Sequence, residues 1–305
     1  MGVNRAVDRP APTPKRAATV ILARQSGGRL QFYLLKRRGG SGFMAGLYVF
    51  PGGVVDPADE ETAFWWRHID LNPGALNSRL GGAPLTAEAL LPYAVAAIRE
   101  TLEEAGVLLT APATQPALAP AYLKDLRARA GRQPDFLNDA AGCGQLRLSL
   151  SGLRRWSHWI TPAQMRWRFD TRFFLAPMPD GQRCAPDHVE TIDGCWVTAR
   201  RALEANLQNR LRLSPPTLVT LHQLLPFGDL SSLLTAVRNR PWGAPIEPRQ
   251  IQFDTGAMVL EPWDPDHARK HPVVDTSQLA HRVLPVGAHF SRIWFNGDCW
   301  WPVAC

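Results

Sequence analysis

Residues 94–107 have the sequence AVAAIRETLEEAGV, which predicts one amphipathic helix. Apolar residues recur at three- and four-residue steps and would form a single stripe: Val95, Ile98, Leu102 and Ala105. The carboxylates of Glu100, Glu103 and Glu104 share another face, where each like-charged pair costs roughly a few tenths of a kcal/mol. The cluster is therefore either a solvated acidic face or a site where a divalent cation offsets the repulsion, because Mg²⁺ prefers carboxylate and phosphate oxygens.

The stretch upstream of this helix favours the second interpretation. Residues 46–56 read GLYVFPGGVVD, an apolar strand that runs into a Pro-Gly-Gly turn. Together the two stretches resemble the Nudix hydrolase family. Its motif is a Gly, five residues, a Glu, seven residues, and then the run Arg-Glu-x-x-Glu-Glu-x-Gly. Gly53 matches the first glycine, and residues 99–107 match the second half.

The sequence departs from the family motif at three points, and one of them points to a particular branch of the family. Asp59 stands where the first Glu belongs, and Thr101 replaces an apolar residue. Between Asp59 and Arg99 lie 39 residues where the family has seven. An insertion inside the motif, here about residues 60–91, is a feature of the peroxisomal coenzyme A diphosphatase branch. The runs SHWITP and RFDTRFF also look like that branch, so the similarity covers roughly residues 17–225.

The resemblance implies an α/β fold: an α/β/α sandwich with a mixed sheet, an inserted helical lobe and a C-terminal helical and β extension. We expect a disordered basic lead-in over residues 1–16, a Nudix domain over 17–240 and a β-rich extension over 241–305. Apolar runs predict strands in the domain at 17–24, 30–36, 156–160, 168–176 and 191–197. In the extension they predict strands at 250–253, 258–260, 282–286 and 292–301, the last of these turning at Asn296-Gly297.

The resemblance also implies the chemistry, which is hydrolysis of a pyrophosphate bond in a nucleoside diphosphate linked to another moiety. The motif carboxylates would hold Mg²⁺ or Mn²⁺, and with Arg99 they are the predicted catalytic residues: Glu100, Glu103 and Glu104. Arg99 would orient a motif carboxylate; the alternative is a solvent-facing partner of Glu103 one turn away. Gly52 and Gly53 would allow the backbone to approach metal or phosphate closely. Accessory roles are predicted for three more acidic residues: Asp56, Asp59 and Glu190.

The substrate prediction depends on the loop at residues 36–42, KRRGGSG. This segment is either a solvated loop or a cationic rim in which Arg37 and Arg38 contact substrate phosphates. Coenzyme A-cleaving relatives carry a signature in this region that Leu34-Leu35 and Arg38 echo, although Lys36 replaces its Thr. The preferred substrate is coenzyme A or an acyl-coenzyme A. The alternatives are ADP-ribose or a nucleotide sugar, and a non-catalytic module that senses a ligand.

The inserted lobe carries the aromatic run Phe64-Trp65-Trp66 within a predicted short helix at residues 63–68. These rings either pack the lobe or form a platform on which a base stacks. Asn77 to Pro84 is predicted to be a Gly-rich loop, and Pro92 is assigned to the first helical position of the motif helix. Because the insertion interrupts the motif at a loop, we expect the lobe to lean over the cleft and shape substrate choice.

Composition limits the setting in which the protein works. The net charge is +7, and most cations are Arg, which suits anionic ligands. Five scattered cysteines without C-x-x-C spacing argue against a disulfide framework and favour a reducing compartment. We find no apolar run of membrane-spanning length, no secretory core and no C-terminal Ser-Lys-Leu signal. The prediction is a cytoplasmic monomer or homodimer that binds a small nucleotide, with neither a membrane nor a specific nucleic acid as partner.

Overall fold

The structure is a computed structural model, and it describes residues 12–40, 44–82, 85–111, 118–144, 146–254, 256–269 and 276–305. The strands of the main sheet are β1 (Lys15–Ser26), β2 (Arg29–Arg37), β3 (Tyr48–Val49), β4 (Gly52–Val54), β5 (Arg154–Ile160), β6 (Phe169–Pro177) and β7 (Thr191–Val197). The helices are α1 (Thr62–His68), α2 (Pro73–Leu80), α3 (Ala87–Ala105), α4 (Pro120–Ala130), α5 (Phe136–Gly142), α6 (Ala199–Leu207), α7 (Pro215–Leu224) and α8 (Leu230–Ala236). A second sheet contains β8 (Arg249–Phe253), β9 (Gly256–Leu260), β10 (Arg292–Phe295) and β11 (Trp300–Val303).

The main sheet is mixed. Its strand order is β3-β2-β1-β6-β5, with β4 paired to β1 and β7 paired to β2. β1 pairs antiparallel with β2 and parallel with β6, from Lys15 opposite Phe169 to Ala23 opposite Pro177. The five strands predicted in this domain are therefore confirmed. The lead-in prediction runs two residues too far, because β1 begins at Lys15; residues 1–11 lie outside the described residues.

Helices cover both faces of this sheet. Successive residues of β1 point to opposite faces, as the pleat of a strand requires. Val20 and Leu22 pack with α3 and the helices of the insertion, whereas Ile21 and Ala23 pack with α6 and α7. The two buried clusters confirm the predicted sandwich. In the described ranges, no helix is long and apolar enough to cross a membrane.

The motif helix α3 begins earlier than its sequence suggests. Thr86 is its N-cap, and the Thr86 hydroxyl accepts a hydrogen bond from the N–H of Ala89 at 3.2 Å. Pro92 therefore lies inside the helix and not at its first position, which corrects the prediction. At the other end Gly106 adopts a left-handed φ of 71° and its N–H bonds to the carbonyl of Leu102. This cap ends the helix directly after the acidic cluster.

The insertion forms two helices that belong to the core. Trp65 is fully buried and its Nε1–H donates to the carbonyl of Ala58 at 2.9 Å, so its ring packs the lobe. Leu76 and Leu80 of α2 are also fully buried. The predicted loop at 77–84 is wrong for residues 77–80, which continue α2 because Asn72 caps its start; residues 83 and 84 lie outside the described residues.

The C-terminal extension is an antiparallel sheet of order β11-β10-β9-β8 that packs on the main domain. Ile293 of β10 is fully buried in the cluster beneath α6 and α7. The side-chain amide of Asn206 in α6 donates to the carbonyl of Trp300 at 2.8 Å. The strand predicted at 282–286 is wrong, because a 3-10 helix spans Thr276–Arg282 and only an isolated bridge joins Val283 to Val303.

A buried carboxyl in this extension makes stability depend on pH. Glu261 is fully buried, and neither of its carboxyl oxygens has a hydrogen-bond partner in the described part of the chain. Burial raises the pKa of Glu261 from 4.5 to about 8. Between these two values the folded protein keeps a proton that the unfolded chain releases, so stability falls as pH rises, by about 1.4 kcal/mol for each pH unit.

Replacing this group should therefore flatten the pH profile of stability. Between pH 5 and pH 8, the unfolding free energy of the wild type should fall through this group by roughly 4 kcal/mol. The Glu261→Gln variant lacks the group and should not show this fall. Urea titrations at several pH values measure the difference. Glu204→Gln, at an exposed position of α6, is the control and should leave the profile unchanged. Parallel profiles for Glu261→Gln and the wild type would contradict the assignment.

Candidate active site

Gly52 and Gly53, predicted as a turn, are the first two residues of β4 and bring its backbone onto the acidic face of α3. β4 pairs with β1, with Thr19 opposite Gly52 and Ala18 opposite Gly53. The N–H of Gly52 donates to Oε2 of Glu104 at 2.8 Å. A Cβ on Gly52 would overlap the carbonyl of Ala18, and a Cβ on Gly53 would overlap the carboxylate of Glu100. Position 52 therefore requires glycine because it lies against the backbone of β1, and a side chain at position 53 would displace the carboxylate of Glu100.

Arg99 lies at the centre of the site and is only 3% exposed. Its Nη1 lies 2.9 Å from Oε1 of Glu100 and 3.1 Å from Oε1 of Glu103. Its Nη2 donates to the carbonyl of Val54 at 2.7 Å. The solvent-facing alternative for Arg99 is therefore wrong. A buried guanidinium fixed at this many points orients the carboxylates around it.

Asp59, from the first half of the motif, binds Arg99 of the second half, although the insertion separates them in sequence. It is 1% exposed, and its two carboxylate oxygens accept from Nε and Nη2 of Arg99 at 3.0 and 2.9 Å. A 3-10 helix at Pro57–Glu60 presents it, and the N–H of Asp56 donates to Oδ2 of Asp59 at 2.8 Å. Oδ2 of Asp56 lies 3.6 Å from Nη1 of Arg99. The two halves of the motif meet in space despite the inserted residues between them.

Glu100 and Glu104 form a buried pair of carboxylates, 9% and 4% exposed. Burial raises the pKa of Glu104 to about 8, and burial, opposed by Arg99 and reinforced by Glu104, raises the pKa of Glu100 well above its usual value. A hard divalent cation stabilises buried carboxylates that repel each other, so the pair fits such an ion.

The third motif carboxylate is engaged differently. Glu103 is bound to Arg99, and its side chain is 29% exposed. No group of three or more His, Cys, Asp or Glu side chains arranged to hold a metal occurs in the ranges that the structure describes. The fit to a cation therefore depends on Glu100 and Glu104, and a ligand role for Glu103 stays a prediction.

Arg37 reaches the site from the end of β2. Its Nη1 lies 3.9 Å from Oε1 of Glu104, and its Nη2 lies 3.5 Å from Oε2 of Glu190. The Nε of Arg37 is buried and has no acceptor among the described residues. A cation from the basic loop therefore lies beside the carboxylates, and its contact with a substrate stays a prediction. Glu190, whose side chain is 63% exposed, stands at the rim of the cleft.

Arg38 has a different environment from Arg37. Its guanidinium donates to the carbonyl of Val189 at 2.6 Å and to the carbonyl of His188. In this structure Arg38 holds a neighbouring loop, and contact between Arg38 and a substrate phosphate stays a prediction.

Sequence reasoning missed a contact that fixes the end of α3. The guanidinium of Arg127 in α4 donates to the carbonyls of Glu103 and Glu104, each at 2.8 Å, and to that of Ala185 at 2.9 Å. A cation at a helix C-terminus satisfies carbonyls that lack partners and interacts favourably with the helix dipole. The basic character of residues 122–130 was visible in the sequence, but it does not show which helix end the cation would contact.

Comparison with known proteins agrees with this geometry. Residues 77–224 match the family model described as the NUDT19 Nudix domain. The chain is 31% identical over 274 residues to human acyl-coenzyme A diphosphatase NUDT19, covering 74% of this chain and 72% of the human protein. It is 29% identical to the Gallus gallus protein of the same name, covering 92% and 88%.

A solved structure supports the same assignment. The crystal structure of a Nudix hydrolase from Alicyclobacillus acidocaldarius superposes with a TM-score of 0.61 at 26% identity, covering 75% of this chain and 99% of that one. Nudix hydrolases generally use divalent metal ions. The motif, the fold and the relatives agree, and the chain therefore belongs to the Nudix hydrolase family, in the branch of NUDT19, as a pyrophosphohydrolase.

Proposed function

We propose that the protein hydrolyses the pyrophosphate bond of coenzyme A or an acyl-coenzyme A. The products would be phosphopantetheine, or its acyl derivative, and adenosine 3′,5′-bisphosphate. The main observation behind the proposal is the buried pair Glu100 and Glu104, which lies against Gly52 and Gly53 of β4. The relatives named acyl-coenzyme A diphosphatase support this choice of substrate.

Mg²⁺ or Mn²⁺ would be held by Glu100 and Glu104, with Glu103 as a further candidate ligand. A cation bound there supplies charge neutralisation of the diphosphate and makes water a better nucleophile at neutral pH. The residues of the chain do the rest. The Gly52 N–H fixes one oxygen of Glu104, and Arg99 fixes Glu100. Preorganised carboxylates do not have to reorient during the reaction, which lowers its barrier.

Arg37 supplies positive charge where a diphosphate would sit. It lies between Glu104 and Glu190, and its buried Nε–H has no acceptor in the described residues. A phosphate oxygen would satisfy this donor with a charge-assisted hydrogen bond. Arg37 therefore orients the substrate, and Glu190 holds Arg37 from the rim. Cytoplasmic location and a monomeric or homodimeric state stay predictions.

A substrate panel tests the proposal. Purified protein with Mg²⁺ or Mn²⁺ is incubated separately with coenzyme A, an acyl-coenzyme A, ADP-ribose and a nucleotide sugar, and products are identified by mass. We expect adenosine 3′,5′-bisphosphate from the first two, at higher kcat/KM than AMP from ADP-ribose. Preferential cleavage of ADP-ribose would overturn the coenzyme A assignment, and no cleavage of any substrate would contradict catalysis.

The 3′-phosphate of coenzyme A should also contribute to recognition. Ions held at Glu100 and Glu104 cannot at the same time hold this distant group, which needs its own cation. We therefore expect dephospho-coenzyme A to be the poorer substrate, by roughly tenfold or more in kcat/KM, the value of one charge-assisted hydrogen bond. Steady-state kinetics on the two compounds measure the difference. Equal kcat/KM values for the two compounds would show that the protein does not recognise the 3′-phosphate.

A further inference from the structure

The segment Asp187–Ile192, called the rim loop here, runs into the start of β7 and exposes two apolar side chains beside the active site. Val189 is 71% exposed and Ile192 is 41% exposed, both among the large hydrophobic residues that face solvent in the described ranges. Between them in the loop, Glu190 contacts Arg37, which contacts Glu104 of the motif. The two exposed apolar residues therefore belong to the same segment as Glu190, which contacts the site through Arg37.

Hydrogen bonds between residues of the rim loop hold it in a defined conformation. Oδ1 of Asp187 accepts from the N–H and the hydroxyl of Thr191 at 2.8 and 2.6 Å, and Oδ2 accepts from the N–H of Glu190 at 3.0 Å. The backbone of His188 has a left-handed φ of 61°, which residues other than glycine rarely adopt. Such a conformation persists only where surrounding contacts enforce it.

Arg38, which directly follows β2, also holds the rim loop through hydrogen bonds to its backbone carbonyls. Its side chain donates to the carbonyls of His188 and Val189, and its backbone N–H donates to the carbonyl of Glu190 at 2.7 Å. These contacts join β2 to a loop about 150 residues later in the chain. They hold the backbone that carries Val189 without covering its side chain.

A β-bulge turns Ile192 toward solvent. Along the β2–β7 pair, Arg37 is opposite Thr191 and Lys36 is opposite Asp193, so Ile192 is the extra residue. Thr191 is fully buried. Bulges next to active sites often redirect a side chain in this way. An ordered loop with outward apolar side chains costs less conformational entropy when it binds a ligand than a flexible one does.

We propose that Val189 and Ile192 form an apolar subsite that binds the acyl group of an acyl-coenzyme A, with Arg38 and Asp187 as positioning residues. The inference rests on the proposed function, because that reaction brings a substrate with one charged and one apolar end. With the diphosphate at Glu104 and Arg37, an acyl chain that extends from the site past Glu190 would reach the segment that exposes Val189 and Ile192. An apolar chain bound there would cover side chains that water otherwise contacts.

The test compares coenzyme A with octanoyl-coenzyme A. We expect the wild type to have a higher kcat/KM on the octanoyl substrate, mainly through a lower KM. The double variant Val189→Ser with Ile192→Ser should lose roughly tenfold on octanoyl-coenzyme A, the value of a few buried methyl groups, and less than about twofold on coenzyme A. Val189→Leu, which keeps an apolar side chain at the same position, should retain the preference.

The outcomes separate this inference from the proposed function. If the wild type cleaves both substrates with equal kcat/KM, or if the double variant keeps the wild-type preference, the subsite is wrong and the hydrolase assignment stands. If the wild type cleaves neither substrate, the proposed function fails, and this inference fails with it. Circular dichroism of the double variant checks that it is folded, and Val189→Ser alone repeats the test if it is not.

Arg38→Ala tests the positioning role. If Arg38 holds the rim loop, its loss should raise KM for octanoyl-coenzyme A several-fold. The change in kcat/KM for coenzyme A should then equal the change for dephospho-coenzyme A, because Arg38 would not contact the 3′-phosphate. Arg38→Lys, which cannot reach both carbonyls with one planar group, should restore only part of the effect. A loss confined to substrates with a 3′-phosphate would overturn the positioning role and show that Arg38 binds that phosphate.

Discussion

Glu104→Gln is expected to lower kcat by about three orders of magnitude while the fold is retained. The substitution keeps the size of the side chain but removes the charge that would hold a divalent cation at Glu100 and Glu104. The N–H of Gly52, which donates to the Glu104 carboxylate at 2.8 Å, could still donate to the amide oxygen of the variant side chain. Steady-state kinetics at saturating metal ion measure the loss, and Glu100→Gln should behave in the same way.

A matched control lies on the same helix. Glu88, in the first turn of α3, is exposed and lies outside the motif. Glu88→Gln should leave kcat within about twofold of the wild type, because surface substitutions away from special features have small effects. Near-wild-type turnover by Glu104→Gln at saturating metal would show that the metal assignment is wrong.

Arg99→Met should have the largest effect on stability, a loss of roughly 3–5 kcal/mol in unfolding free energy. It removes the partner of Asp59, which is 1% exposed, and of Glu100, and leaves buried carboxylates without a counter-ion. The substitution also removes the hydrogen bond to the carbonyl of Val54. Urea unfolding of the metal-free protein at neutral pH measures the change.

The control for this variant is an exposed ion pair. Arg129 lies 3.3 Å from Asp139, and both side chains are substantially exposed. Arg129→Met should cost no more than about 1 kcal/mol, the usual range of surface pairs. A loss below about 1 kcal/mol for Arg99→Met would mean that Arg99 does not compensate buried charge.

The parts of the fold that the sequence predicted are those with a strong local signal. The apolar stripe predicted α3, and apolar runs predicted β1 and β2. Pro92 was misplaced because the Thr86 cap extends the helix by more than a turn before it. The loop predicted at 77–84 was wrong for residues 77–80 because α2, which is capped by Asn72 and begins with Pro73, continues through them.

The site was predictable in its residue types and less so in its contacts. The motif brought Glu100, Glu104 and Gly53 into one candidate site, because their spacing is a feature of the sequence itself. The contacts of Arg38 with the rim loop and of Arg127 with the end of α3 join segments far apart in the chain. Nothing in the local sequence distinguishes an arginine that binds a backbone carbonyl from one that awaits a phosphate. Such contacts become visible only in the folded structure.

The most direct measurement of the central claim follows oxygen from labelled water during hydrolysis of coenzyme A. With Mg²⁺ or Mn²⁺ present, we expect heavy oxygen in one of the two phosphate products, adenosine 3′,5′-bisphosphate or phosphopantetheine, and never in free orthophosphate. This pattern places water attack at the diphosphate, where Glu100 and Glu104 would hold the cation. Release of labelled orthophosphate, or label in neither product, would contradict cleavage of the pyrophosphate bond.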